Sequence, residues 1–211
     1  MTKDRPILFS GAMVRAILDG RKTQTRRVAK PVKHPDLGNI YAPGALVLER
    51  EPQHVIDRAC PYGQPGDRLW VRETWQHSNH PFGPYDDDCA LFYRADYLDD
   101  PLGPDLELSP DGIRRHWRPS IHMPRSACRL ELEITGVRVE QLNDCSEADA
   151  RAEGLMTAPG GWWSGAEGQA APTPQAAYAL LWNSINGAGT WEANPWVWVV
   201  EFQRLTTGGD K

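Results

Sequence analysis

The chain has 211 residues, 40% hydrophobic and 24% charged, which suits one folded domain with a sizeable core. Its formal charge of −5 argues against wholesale electrostatic binding to duplex nucleic acid, while leaving room for a local basic patch. No run of about 18 apolar residues occurs, so no membrane span is expected, and the opening Met1-Thr2-Lys3-Asp4-Arg5-Pro6 lacks the apolar centre of a signal peptide, which predicts a cytoplasmic protein.

Residues 5 to 9 read as a first strand, and Ser10 caps a helix that runs to about Asp19. Gly20 stops that helix, because glycine enters the left-handed cap conformation without penalty. Directly after it comes Arg21-Lys22-Thr23-Gln24-Thr25-Arg26-Arg27. A hydroxyl nucleophile, an amine base and an anion-binding surface are thus concentrated in one short segment. The same cluster also reads as favourable positive charge at a helix C-terminus. Lys22 and Thr25 stand three residues apart and meet only if the chain turns, so a turn or short helical segment is predicted at Lys22 to Thr25.

Residues 28 to 66 are rich in Pro and Gly, with a hairpin expected around Ala45 to Arg50 and Gln53 to Asp57. Pro65-Gly66-Asp67 is a turn that leads into a strand from Arg68 to Trp75, with Leu69 and Val71 on one face. The polar segment 76 to 120 reads as an insertion carrying one short strand, Ala90 to Ala95, with too few apolar residues for its own core. A long strand follows from Cys128 to Leu142. Ser146-Glu147-Ala148-Asp149 then matches a capping box, opening a short helix that ends at Gly154. Residues 157 to 172 read as a mobile, Gly/Ala/Pro-rich connection, Pro174 to Ile185 as a helix, and Pro195 to Phe202 as a strand apolar on both faces. Short strands without a β-α-β-α rhythm predict an α+β fold, a small mixed β-barrel with helices at its rim and large loop insertions, built as a single domain over 1–211.

The four cysteines show no C-x-x-C spacing and read as reduced, partly buried side chains. His77 and His80 lack a third ligand at a usual spacing, so neither a metal nor another cofactor is expected.

The order of these blocks carries a resemblance. Gly20-Arg21-Lys22-Thr23-x-Thr25-x-Arg27, Pro65-Gly66-Asp67, Ser146-Glu147-x-x-Ala150-x-x-Glu153-Gly154 and the terminal Trp-Val-x-Val-Glu-Phe strand together resemble the ASCH domain family, which has a PUA-like β-barrel fold and whose members bind RNA or nucleosides. The opening Arg5-Pro6-Ile7-Leu8-Phe9-Ser10 and the late Leu181-Trp182-x-Ser184-Ile185-Asn186-Gly187 are similar to a phage or prophage branch. One branch of the family comprises small bacterial N4-acetylcytidine amidohydrolases. Carried over position by position, the resemblance implies Lys22, Thr25 and Glu153 as catalytic residues. The chain is about twice as long as those enzymes, and its loops 28–64, 76–120 and 156–173 fall outside the resemblance. A ribonuclease role also occurs in the family.

The implied chemistry is metal-independent hydrolysis of an acylated exocyclic amine. It requires a nucleophile, Thr25; a base, Lys22, which works only when neutral; and a proton shuttle, Glu153. Arg21 and Arg26 supply positive charge. Among the nine tryptophans, Trp70, Trp75 and Trp196 lie beside the motif blocks and offer flat faces to a base, or else fill the core. Arg72 and Glu73 put charge inside a strand, either for polar readout or as an internal ion pair. The expected partner is an acylated cytidine or cytosine. The competing readings are an RNA-binding module without catalysis, or a ribonuclease. The sequence does not fix an oligomeric state.

Overall fold

Two long strands, Glu131–Gln141 and Trp196–Arg204, run antiparallel through the middle of the molecule. The computed structural model describes residues 2–80, 82–98, 107–108, 114–115, 117–163 and 170–205. In chain order the elements are β1 (Asp4–Leu8), α1 (Gly11–Leu18), β2 (Gln24–Val28), β3 (Val32–Lys33), β4 (Ile40–Tyr41), α2 (Ala45–Leu48), α3 (Gln53–Ala59), β5 (Arg68–Arg72), β6 (Trp75–His77), β7 (Leu91–Tyr93), β8 (Glu107–Leu108), β9 (Arg114–Arg115), β10 (Glu131–Gln141), α4 (Glu147–Ala152), β11 (Met156–Ala158), β12 (Gly161–Trp163), α5 (Pro174–Asn186) and β13 (Trp196–Arg204). The principal sheet has the order β1-β5-β10-β13-β2; β1 pairs parallel with β5 and every other pair is antiparallel. The fold is α+β around a mixed sheet. Among the described residues no helix is long and apolar enough to cross a membrane.

The apolar run of β13 shows why the sheet lies at the centre. Val197, Trp198, Val199 and Val200 are all buried in succession, which a strand achieves only when both faces are covered. Trp198, Val200 and Phe202 join Ile7, Val14, Ile17, Leu132 and Ile134 in one core. Val197 and Val199 face the other way, onto Leu142, Ala150, Tyr178 and Trp182. One layer therefore contains α1, α2 and α3, and the other α4 and α5.

The expected closed barrel is not present among the described residues. The sheet ends at β1 on one side and β2 on the other. At the seam, an Arg27 Nη2 donates to the Leu8 carbonyl at 2.9 Å, so a side chain spans the gap that backbone pairing would close.

Three further expectations are corrected. Residues 45–57 are not a hairpin but the helices α2 and α3: adjacent Val55 and Ile56 are both buried, a pattern that suits a helix face. The strand from Arg68 stops at Arg72, where its pairing with β1 ends; the chain then leaves the sheet and Trp75 begins a hairpin, β6–β7. Lys22 to Thr25 does not turn. Gln24 already belongs to β2, and Thr25 is paired with Val200. Within 157–172, β11 and β12 form a hairpin, while 164–169 lie outside the described residues. The proposed insertion contributes most of β6, β7 and the β8–β9 pair; Trp75, Met123 and Ala127, which flank it, form a small separate core on which its Tyr85, Leu91 and Tyr93 pack, and much of 99–116 lies outside the described residues. All four cysteines are free, and burial pushes the Cys60 thiol up to about 11 and the Cys145 thiol up to about 12.

Candidate functional site

A cleft of about 530 Å³ opens at the seam between the two sheet edges, within the range of roughly 300–1,000 Å³ usual for small-molecule sites. Leu8, Phe9 and Met13 line it from the first strand and helix, Leu181 and Trp182 from α5, and Thr25 to Val28 from β2. Neighbours on a strand point to opposite faces. Thr25 and Arg26 both reach the cleft because it straddles the free edge of β2.

The segment that carries these residues is held in place from its start. Gly20 adopts φ +73° at the end of α1, and the Arg21 and Lys22 N–H groups both donate to the Ala16 carbonyl at 2.9 and 3.0 Å. Thr23 N–H donates to the Ala152 carbonyl at 2.9 Å, and Lys22 makes an antiparallel bridge with Glu153. The chain is thus extended and docked against the end of α4. That helix is fixed at its beginning by a complete capping box between Ser146 and Asp149, and Glu153 is its C-cap residue. Gly154 follows at φ +101°; a Cβ there would lie 2.9 Å from the Ala16 Cβ and 3.1 Å from the Lys22 Cβ. Only glycine lets α1, α4 and the Lys22 segment approach this closely.

The side chains form a chain of alternating charge. Lys22 Nζ donates to Glu153 Oε2 at 2.7 Å and to the Glu153 carbonyl at 3.1 Å. Glu153 Oε1 accepts from Arg26 Nη1 at 3.2 Å, and Arg26 Nη2 donates to Glu140 Oε1 at 2.7 Å. The Lys22 and Arg26 side chains are fully enclosed. Burial lowers the Lys22 pKa against the opposing pull of Glu153, and the nearby Arg27 and Arg26 lower it further. Thr25 Oγ1 is buried without a hydrogen-bond partner. A group so placed loses its hydration and regains nothing inside the protein.

The structure brings Lys22, Thr25, Arg26 and Glu153 together. Three of them line the cleft, and Lys22 stands behind Glu153. The remaining sequence-derived candidates lie elsewhere, each engaged by its neighbours. Arg21 donates to the Gly154 carbonyl at 2.6 Å and pairs with Asp19 at 2.8 Å. Trp70 is covered by the Arg72 and Arg125 guanidinium groups, at 5.1 and 5.7 Å from its ring centre. Arg72 Nε donates to the Met123 carbonyl at 3.0 Å. Glu73 is the internal ion pair of the two alternatives: Arg129 donates to both its oxygens at 2.9 and 3.0 Å, and burial raises its pKa. Trp75 is buried under Arg118 in the small separate core. Trp196 packs on Gly44, where a Cβ would come within 2.2 Å of the indole.

Sequence reasoning missed Phe9 and Tyr178 as cleft residues. Tyr178 precedes Trp182 by one helical turn and reads as ordinary core spacing. Its ring lies beneath the Arg26 guanidinium, at 5.8 Å. Among the described residues no group of three or more His, Cys, Asp or Glu side chains gathers around a common metal position.

No protein-family model matches the chain, and no curated protein matches it. Among solved structures it is similar to the ASCH domain from Lactobacillus crispatus JV V101, with 14% identity and a TM-score of 0.38 over 96% of this chain and 79% of that one. An overlap this loose does not establish membership of a family.

Proposed function

We propose that the protein hydrolyses the amide of an N4-acylated cytidine or cytosine, N4-acetylcytidine being the simplest member of the class. The observation that carries this reading is the buried, unpartnered Thr25 hydroxyl in the same cleft as Glu153, a carboxylate bonded to a buried lysine. Thr25 Oγ forms a bond to the acyl carbon, and its proton passes by way of the Glu153 carboxylate, which lines the cleft, to neutral Lys22 behind it. The tetrahedral intermediate collapses with cleavage of the C–N4 bond, while the Lys22–Glu153 pair returns a proton to the departing amine. Water then attacks the acyl-threonine ester, gives its proton to the same lysine, and Thr25 recovers its hydrogen as the acid leaves. Arg26 and Arg27, both lining the cleft, place positive charge beside the developing oxyanion. The apolar walls from Phe9, Leu181 and Trp182 suit a flat base.

The test is incubation of the purified protein with N4-acetylcytidine, followed by chromatography for cytidine and acetate. Release is expected from the natural sequence and loss of release from Lys22→Ala, Thr25→Ala and Glu153→Ala. Turnover that survives all three replacements removes this assignment. A second reading, contact with RNA, is favoured by Arg27 and Lys30 at the cleft. It predicts retardation of intact labelled RNA that weakens steeply with salt; shortened RNA would instead mark a ribonuclease.

A further inference from the structure

Arg138 does not line the cleft, yet its guanidinium uses three nitrogens on three carboxylates. Nε donates to Glu140 Oε2 at 2.7 Å, Nη2 to Asp149 Oδ1 at 2.6 Å, and Nη1 to Glu201. Two of those carboxylates also face Arg26: Glu140 Oε1 accepts from Arg26 Nη2 at 2.7 Å, and Asp149 Oδ1 lies 3.4 Å from the same nitrogen. The strand register explains the arrangement. Arg138 on β10 and Arg26 on β2 both stand opposite Val199 of the intervening β13, so the two guanidinium groups line up across one small apolar residue. Glu140 and Asp149 bridge them. Asp149 in addition accepts from Gln24 Nε2 at 3.2 Å and closes the capping box of α4, the helix that ends at Glu153.

We propose that Arg138 is a positioning residue: it pins Glu140 and Asp149 and so fixes the Arg26 guanidinium against Glu153. Without the Arg138 fork, two carboxylates compete for Arg26 Nη2, and the bond from Arg26 Nη1 to Glu153 loosens. A lysine cannot replace the fork, because an ammonium is a point donor and cannot span three carboxylates in one plane. The kinetic part of this inference rests on the amide-hydrolase reading; the geometric part does not.

The experiment compares the full chain with Arg138→Gln, Arg138→Lys and, as control, Ser146→Ala, which removes the hydroxyl's bond to Asp149 Oδ2 and weakens the cap of α4 but keeps the Ser146 N–H bond to that oxygen and all three bonds from Arg138. The first readout is the set of Arg26 Nη resonances in nitrogen-15 NMR, resolved from one another when the guanidinium is held and merged when it rotates. Resolved signals are expected in the natural sequence and in Ser146→Ala, merged signals in Arg138→Gln. The second is hydrolysis of N4-acetylcytidine, where Arg138→Gln should lower kcat by ~10- to 100-fold with KM within ~3-fold, since small misplacements in a site act on the chemical step. Arg138→Lys should fall between. Arg26 signals that stay resolved in Arg138→Gln, or a kcat no lower than that of Ser146→Ala, overturn the inference. If Arg138→Gln does not fold, Arg138→Lys decides, and unmoved signals there overturn it. Absence of turnover in the natural sequence removes the hydrolase reading alone, and the NMR comparison then decides the positioning role by itself.

Discussion

Thr25 separates a functional role from a structural one at a single atom. Its hydroxyl is buried and unpartnered, so replacing it with a methyl group removes a desolvation cost of about 1–3 kcal/mol that nothing inside the protein repays. Thr25→Val should therefore melt no lower than the natural protein in a thermal scan, while hydrolysis of the acylated nucleoside falls by about 10³-fold or more. A loss of stability equal to the loss of activity would mean that the hydroxyl serves the fold. Lys22 makes a second prediction. A lysine free in water titrates near ~10.4, and burial lowers Lys22 below that. In the proposed mechanism the base is the neutral amine, so kcat/KM should rise with pH along a limb whose midpoint lies below ~10.4, and Lys22→Arg should abolish the limb. Measurement of kcat/KM from neutral to alkaline pH checks both statements. At this scale the sequence was partly legible. The motif order joined Lys22 to Glu153, 131 positions apart. It misjudged how Thr25 arrives, because a spacing of three suggests a helical turn whereas pairing of Thr25 with Val200 keeps the chain extended. Glu73 stayed ambiguous because its partner, Arg129, comes from a segment that no local pattern relates to it.

Helix α4 is the element on which the site depends, and its ends were the easiest feature to read. Ser146 and Asp149 have the spacing of a capping box, and the structure contains both reciprocal bonds. Ser146→Ala should cost about 1 kcal/mol of stability by denaturant titration. Asp149 adds a pH dependence with a definite sign. Burial works to raise its pKa, but bonds from Ser146 and the charges of Arg26 and Arg138 outweigh this and hold it well below the usual carboxylate range. The folded state thus stays ionised where the unfolded chain takes up a proton. Its contribution to stability is complete above about pH 4, the ordinary carboxylate value, and is lost as the pH falls through the depressed one. Melting temperatures measured down this acid range should fall less steeply for Asp149→Asn than for the natural protein. The helices α2 and α3 were harder to see. With four and seven residues they are too short to show a helical period, and the surrounding Pro and Gly suggested turns between strands.

For the molecule as a whole, the central sheet carries stability and its unjoined edges carry the cleft. Leu132 on β10 is fully buried in the larger core, so Leu132→Ala should cost about 2–5 kcal/mol in a denaturant unfolding curve. The burial of β13 on both faces was readable from its unbroken apolar run. The failure of the sheet to close was not, because it depends on how β1 and β2 meet, and strand patterns specify faces rather than neighbours. The position of β13 also governs when the site can exist. β2 holds Thr25 and Arg26, and in the sheet it pairs with β13, which begins at Trp196, far along the sequence. During synthesis on the ribosome, the segment with the proposed nucleophile emerges some 170 residues ahead of the strand that receives it. Until then Thr25 lacks the strand it pairs with, and a polypeptide interrupted between Gly154 and Trp196 would contain every proposed catalytic residue without the strand that completes their setting.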